Sequence, residues 1–195
     1  TVMLSGDGGD ELFWGYPRFY KFMKARRLLA LPKSVRGLAS RGLRVAGKSV
    51  SHGIADGLGA WVLDTQSQML QSDLASMLPG ALANSPAIQA LYRYDNDYSA
   101  EAIAHWLRYN EFYGHLQRVL AKVDRASMGN SLEVRVPFLC KDVIKTAWNI
   151  RFDAANQSPK LLLKHALAER VPEKKLNQRK MGYSVPIDDW LRTSF

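Results

Sequence analysis

The sequence predicts a mainly α-helical fold with one short β-strand at its start, and three observations carry that prediction. Val2-Met3-Leu4 is an apolar run of strand length that ends in the polar, glycine-rich stretch 5–10. Between residues 99 and 123, Ile103, Trp106, Leu107, Leu116, Val119, Leu120 and Val123 recur mostly at spacings of three and four, the period of a helix with one apolar face. Proline stands where it favours a first helical turn, at Pro17 and, after a capping serine, at Ser158-Pro159.

Taken in order, Glu11-Leu12-Phe13-Trp14 opens a helix that Gly15 and Pro17 interrupt. Pro17 then begins a helix expected to run through Leu31 and to stop before Pro32, whose ring cannot continue it. A second basic helix is expected from Ser34 to about Lys48. Residues 51–59 read as a loop and residues 74–86 as a transition from helix to loop. The helix starting near Ser99 has an acidic first half, with Glu101 and Glu111, which suits the positive end of its dipole; Trp106 and Tyr113 are expected in the core. Leu161, Leu162, His165 and Leu167 belong to the helix opened at Ser158-Pro159, and Asp188-Asp189 begin a final short helix with Trp190 and Leu191. There is no internal repeat and no low-complexity tract.

At 195 residues, 47% hydrophobic and 23% charged, the chain has material for one domain with one core. It contains no run of about 20 apolar residues, so no membrane span is expected, and no secretory pattern is visible. Cys140 stands alone and has no partner for an internal disulfide, which fits a reducing, cytoplasmic setting. His52, His105, His115 and His165 form no close-spaced set with cysteines or carboxylates, so no zinc site is expected. The formal charge of +9 is concentrated: ten cations, from Arg18 to Lys48, lie in a stretch between Leu12 and Ala55 that has no Asp or Glu. Such a block can attract acidic partners, yet a solvated face of two basic helices gives the same pattern. No nucleic-acid-binding signature accompanies it, so no specific nucleic-acid partner is expected.

The chemistry sits in Ser5-Gly6-Asp7-Gly8-Gly9-Asp10-Glu11, a turn between a strand and a helix. Ligands of open α/β sheets bind at the carboxyl ends of strands. Gly6, Gly8 and Gly9 let backbone N–H groups approach an anion, and the following helix adds its own N–H groups. Carboxylates in the same loop would repel a polyphosphate unless a divalent cation lies between them. The combination points to phosphate held by Ser5 and the glycine amides, with Mg²⁺ on Asp10. A turn whose acids cap the next helix would look the same from spacing alone. The glycine spacing fits neither the Rossmann nor the Walker loop.

Three ordered blocks resemble the asparagine synthetase family. Leu4-Ser5-Gly6-Asp7-Gly8-Gly9-Asp10-Glu11-Leu12-Phe13 is similar to the family's second signature loop. Lys122-Val123-Asp124-Arg125-Ala126-Ser127-Met128, continued by Ser131-Leu132-Glu133-Val134-Arg135-Val136-Pro137-Phe138-Leu139, resembles its internal helix and the loop after it. Gln178-Arg179-Lys180-Met181-Gly182-Tyr183-Ser184-Val185-Pro186 resembles its C-terminal lysine loop, and Lys164 also falls on a recurrent pattern.

The resemblance implies that residues 1–195 are the helical C-terminal part of an α/β, PP-loop ATP pyrophosphatase-like synthetase domain, with one strand left at the N-terminus. It implies ATP and Mg²⁺ as cofactors and aspartate, or a related carboxylate, as substrate. The carboxylate would be adenylated to β-aspartyl-AMP, and ammonia from glutamine would then attack it. The family's N-terminal glutaminase domain and its Ser-Gly-Gly-x-Asp-Ser loop lie outside this chain, so the chain alone is expected to be inactive. Its opening inside a strand suggests a piece of a longer polypeptide, and an exposed sheet edge would favour homo-oligomers. By resemblance, Asp7 assists the attack of ammonia, Asp10 binds Mg²⁺, and Lys180 stabilises the adenylation transition state, with Gly182 letting its loop close. Glu133 and Arg135 read as a structural ion pair. Asp7 stands where many members carry glutamate, Trp14 where glycine is usual and Cys140 where aspartate is usual. A relative acting on another carboxylate, a β-lactam synthetase-like enzyme or a non-catalytic basic helical module remain alternatives.

Overall fold

The computed structural model describes residues 1–45, 52–67, 76–77, 85–152, 159–172 and 187–193. They fall into two units, Thr1–Leu161 and Leu162–Phe195. The first unit opens with strand β1 (Val2–Leu4) and helix α1 (Gly9–Leu12), followed by α2 (Pro17–Lys24), α3 (Arg26–Leu29) and α4 (Lys33–Val45). A 3-10 turn, His52–Ala55, leads into α5 (Leu58–Gln66), and α6 spans Pro86–Tyr92. Next come α7 (Ala100–Asn110), a π turn (Glu111–His115), α8 (Leu116–Met128), strand β2 (Glu133–Arg135), a 3-10 turn (Pro137–Leu139) and α9 (Lys141–Asn149). Helix α10 (Leu161–Ala168) begins at the end of the first unit, and α11 (Ile187–Thr193) lies in the second, where Trp190 and Leu191 are exposed. Among the described residues no helix is long and apolar enough to cross a membrane.

The expectation of a single strand is corrected here. Val2, Met3 and Leu4 pair in parallel with Glu133, Val134 and Arg135, and the Glu133 N–H donates to the Thr1 carbonyl at 3.1 Å. A parallel pair needs a long crossover, which here is the whole run of helices from α1 to α8. Three residues with charged ends carry no strand signal of their own; only the distant partner makes them extended. Glu133 and Arg135 form the expected ion pair, at 2.5 Å on an exposed face.

The main core packs Phe19, Phe22 and Met23 of α2 against Trp61 and Val62 of α5 and Ile103, Ala104 and Leu107 of α7. The Phe22 and Trp61 rings meet edge to face with centroids 4.8 Å apart. The helix expected from Pro17 to Leu31 is broken at Ala25, which closes α2 before α3 begins. The single apolar face expected over 99–123 is also divided. Ser99 caps α7 by accepting from the Ala102 N–H at 3.1 Å. The step from Leu107 to Leu116 is about two and a half α-helical turns, and Leu116, although fully buried, lies outside the main core cluster. Tyr113, expected inside, is exposed on the π turn, whereas Trp106 is buried as expected. Pro159 does not start a helix: it precedes Lys160, whose φ is +56°, and α10 begins only at Leu161. Ser158, Lys48 and most of 74–86 lie outside the described residues.

Arg108 ties α7 to the end of α9. Its side chain is fully buried, and its guanidinium donates to the carbonyls of Ala147 and, at 3.1 Å, of Ile150. It lies over the Trp14 ring at 4.3 Å and beside Trp148 at 5.1 Å. The negative end of the α9 dipole faces this cation. Burial pulls the Arg108 pKa down to about 10, still well above neutrality. Arg108→Met leaves those carbonyls unsatisfied and should lower unfolding stability by ~2–3 kcal/mol in a denaturant titration. Arg108 also donates to His105 Nδ1 at 2.7 Å, and burial, then the Arg108 charge, pushes the His105 pKa down. A lowered imidazole pKa makes the folded state prefer the neutral ring. Stability is therefore whole above about pH 6.5 and falls as the pH drops below it. The melting temperature should decline as the pH falls below about 6.5, and less steeply in His105→Gln.

Candidate active site

The loop at the carboxyl end of β1 is built by its two neighbours in space. The Ser5 N–H donates to the Arg135 carbonyl at 2.8 Å, extending the strand pairing into the loop. Ser5 Oγ then donates to Asp7 Oδ2 at 2.5 Å, and the Asp7 N–H returns to Ser5 Oγ at 3.3 Å. Gly8 takes a φ of +86° as the residue before α1. A Cβ there would lie 2.8 Å from Leu139 Cδ2, so glycine is needed both for backbone and for space. Gly9 packs on the Phe138 ring, and Phe138 meets Phe13 edge to face at 6.1 Å. The Pro-Phe-Leu turn after β2 is thus the floor of the glycine loop. Gly6 is exposed, with nothing within 4 Å of where its Cβ would be.

Asp10 is half-buried, and its Oδ1 lies 3.0 Å from Lys160 Nζ. That approach depends on Gly15, where a Cβ would stand 1.9 Å from Asp10 Oδ1 and 2.6 Å from Lys160 Cε. Next to it, Trp14 takes a φ of +50°, a left-handed conformation that glycine adopts at no steric cost. Burial and fixed contacts hold it there: Trp14 Nε1 donates to the Ala104 carbonyl at 2.9 Å, and Tyr20 Oη donates to the Trp14 carbonyl at 3.2 Å. Glu11 is buried and accepts from Tyr16 Oη at 2.5 Å. Burial first, and the Glu11 hydrogen bond second, raise the Tyr16 pKa far above its ordinary value, so the phenol keeps its proton.

The structure therefore places Ser5, Gly6, Asp7 and Gly8 in the loop and Gly9 and Asp10 in the first turn of α1, and it joins the first and second sequence blocks. Lys180 and Gly182, with the rest of block 178–186, lie outside the described residues. Lys122, Asp124 and Arg125 are exposed along α8, and Cys140 is an exposed free thiol before α9. Two groups escaped sequence reasoning. Lys160 meets Asp10 across a separation that no local spacing signals, and Tyr16 reaches back five residues to Glu11. Among the described residues no group of three or more His, Cys, Asp or Glu could hold a metal by itself.

Comparison with known proteins now bears on this loop. The asparagine synthase family model matches residues 1–195. Asparagine synthetase [glutamine-hydrolyzing] 1 of Bacillus subtilis is 29% identical over 98% of this chain and 32% of its own length. A putative asparagine synthetase [glutamine-hydrolyzing] of Mycobacterium tuberculosis is 31% identical over 98% of this chain and 30% of its own length. Asparagine synthetase [glutamine-hydrolyzing] 3 of Bacillus subtilis is 25% identical over 99% of this chain and 29% of its own length. The chain thus spans about a third of the length of these relatives. No solved structure matches it. With the family's match running over the glycine loop, the strand beneath it and every helix between, the chain belongs to the asparagine synthase family.

Proposed function

We propose that this chain supplies the C-terminal part of the synthetase domain of an ATP-dependent, cytoplasmic asparagine synthetase. The substrate carboxylate is aspartate's, activated as β-aspartyl-AMP and then amidated by ammonia that a glutaminase domain releases from glutamine. The observation that carries this reading is the loop at the end of β1: a glycine turn seated on Phe138 and Leu139, with Ser5, Asp7 and Asp10 on one short arc and Lys160 beside it. Phosphate oxygens suit the Ser5 hydroxyl, the exposed backbone at Gly6 and a lysine ammonium.

Mg²⁺ fits these residues. It prefers octahedral oxygen and is usually held by one or two carboxylates together with substrate phosphates, so no cage of three acids is required. Asp10 would be its protein ligand, and the ion would neutralise charge developing on the phosphates. Lys160, already on Asp10, offers a second cation for the same phosphates. Asp7, which accepts a hydrogen bond from Ser5, would take up the proton released as ammonia adds. Lys180 takes the role of stabilising the negative charge of the adenylation transition state and the departing pyrophosphate. Asp7 is one methylene shorter than the glutamate common in asparagine-forming members. That difference favours a second reading, the same chemistry on another carboxylate.

In the full-length enzyme, Lys180→Ala and Asp10→Asn should each reduce aspartate-dependent pyrophosphate release by at least about 10²-fold. An unchanged rate in either would overturn the role given to that residue. Gly15→Ala drives a methyl into the Asp10–Lys160 contact. It should lower pyrophosphate release by about tenfold or more while far-UV circular dichroism is retained. Product analysis with aspartate, glutamine and ATP separates the two readings, since asparagine appears only under the first.

A further inference from the structure

Outside the glycine loop, one cavity of the first unit gathers cations without acids. It has a volume of about 400 Å³ and lies between α2, the end of α5, the π turn and the first turns of α8. Of its seven lining residues six are polar, and none is Asp or Glu. Arg118 and Lys122 line it from one face of α8, four residues apart. Like charges at that spacing repel along a helix, and neither side chain is in an ion pair among the described residues. Arg18 lines the opposite wall. Its Nε and Nη2 are taken by the fully buried Glu111, with contacts of 2.8 and 3.0 Å.

We infer that this cavity binds the phosphate group of a small metabolite. The charge arithmetic supports an anion. Glu111 neutralises Arg18 from behind the wall, so among the described residues Arg118 and Lys122 remain as two positive charges on the lining without a carboxylate partner, and a phosphate dianion matches them. Gln66 reinforces the wall by donating to Glu111 Oε1 at 2.7 Å, and the Tyr92 hydroxyl donates to the Gln66 side-chain oxygen. The frame is therefore set by buried hydrogen bonds before any ligand arrives, which lowers the cost of binding. His115 lines the cavity beside Arg118, whose Nη2 lies 3.5 Å from the ring Nδ1. Burial pushes the His115 pKa down, while Glu111 and Glu11 oppose that and Arg18 and Arg118 add to it. The size suits a sugar phosphate better than a nucleic-acid backbone: the volume is near the low end of small-ligand pockets, whereas a polyanion needs an open stripe. None of the residues 5–11 lines it; His115 touches Tyr16 edge to face at 5.9 Å, and Tyr16 holds Glu11.

The test is an NMR titration of the intact enzyme, labelled at histidine Cε1, with inorganic phosphate and with glucose 6-phosphate at constant ionic strength. The His115 signal, assigned with His115→Gln, reports on this cavity, and Asp10→Asn shows whether a shift instead arrives from the glycine loop through Tyr16. Saturable shifts are expected with the sugar phosphate, and Arg118→Gln/Lys122→Gln should weaken its affinity by at least about tenfold. Arg41→Gln, on exposed α4, should leave it unchanged, and so should Asp10→Asn, which separates this site from the glycine loop. A shift that never saturates overturns the inference. So does an equal loss in Arg41→Gln, which would mean diffuse attraction to a basic surface. Saturation by inorganic phosphate with no response to the sugar phosphate would restrict the site to an adventitious ion only and equally overturn the metabolite assignment.

Discussion

The parallel pairing of three residues with three others, 131 positions further along, is the constraint on which the rest of the first unit depends. Leu4 opposite Arg135 places the glycine loop directly over the Pro-Phe-Leu turn, and Ser5 takes the next hydrogen bond of that ladder. The loop's shape then follows from contacts below it. Leu139 leaves no room for a side chain at Gly8, and the Phe138 ring is the surface on which Gly9 lies. A loop of this composition has many conformations open to it in isolation; the strand pair and the aromatic floor leave one.

Two buried charges hold the helices that the crossover must carry. Arg108 donates from Nη1 and Nη2 to the carbonyls at the end of α9, with the Trp14 and Trp148 rings beside its guanidinium. Glu111 spends its oxygens on Arg18 and Gln66. They lie three residues apart, one before and one within the junction of α7 with the π turn, and they reach different helices: α9 in one case, α2 and α5 in the other. Neither charge could be left unpartnered at such depth without a large penalty. The pair therefore also specifies register, because moving α7 by one residue would strand both.

Much of the candidate site was legible in the sequence because its signals are local. Ser5, the three glycines, Asp7 and Asp10 are contiguous, and a strand before them and a helix after them are readable from a few residues on each side. What could not be read was everything made by distance. Strand β2 has no pattern of its own, and Lys160 approaches Asp10 from the far end of the unit. The helical spacing over 99–123 was real, yet counting threes and fours across the nine-residue step from Leu107 to Leu116 concealed the π turn, on which Tyr113, expected in the core, is exposed. Trp14 shows the converse. Its departure from glycine was visible in the sequence, but only the packing of Ala104, Tyr20 and Arg108 around it explains how a bulky residue tolerates a left-handed backbone.

The account reduces to the claim that the loop after β1 cradles a nucleotide's phosphates with a metal ion on Asp10. A crystal structure of the intact enzyme with Mn²⁺ and a non-hydrolysable ATP analogue tests this most directly, since anomalous scattering locates the metal without interpretation. The account predicts the manganese peak within bonding distance of Asp10, with phosphate oxygens on Ser5 and the backbone of the glycine loop. Manganese and triphosphate bound elsewhere, with Asp10 still joined to Lys160 and the loop facing solvent alone, would contradict it.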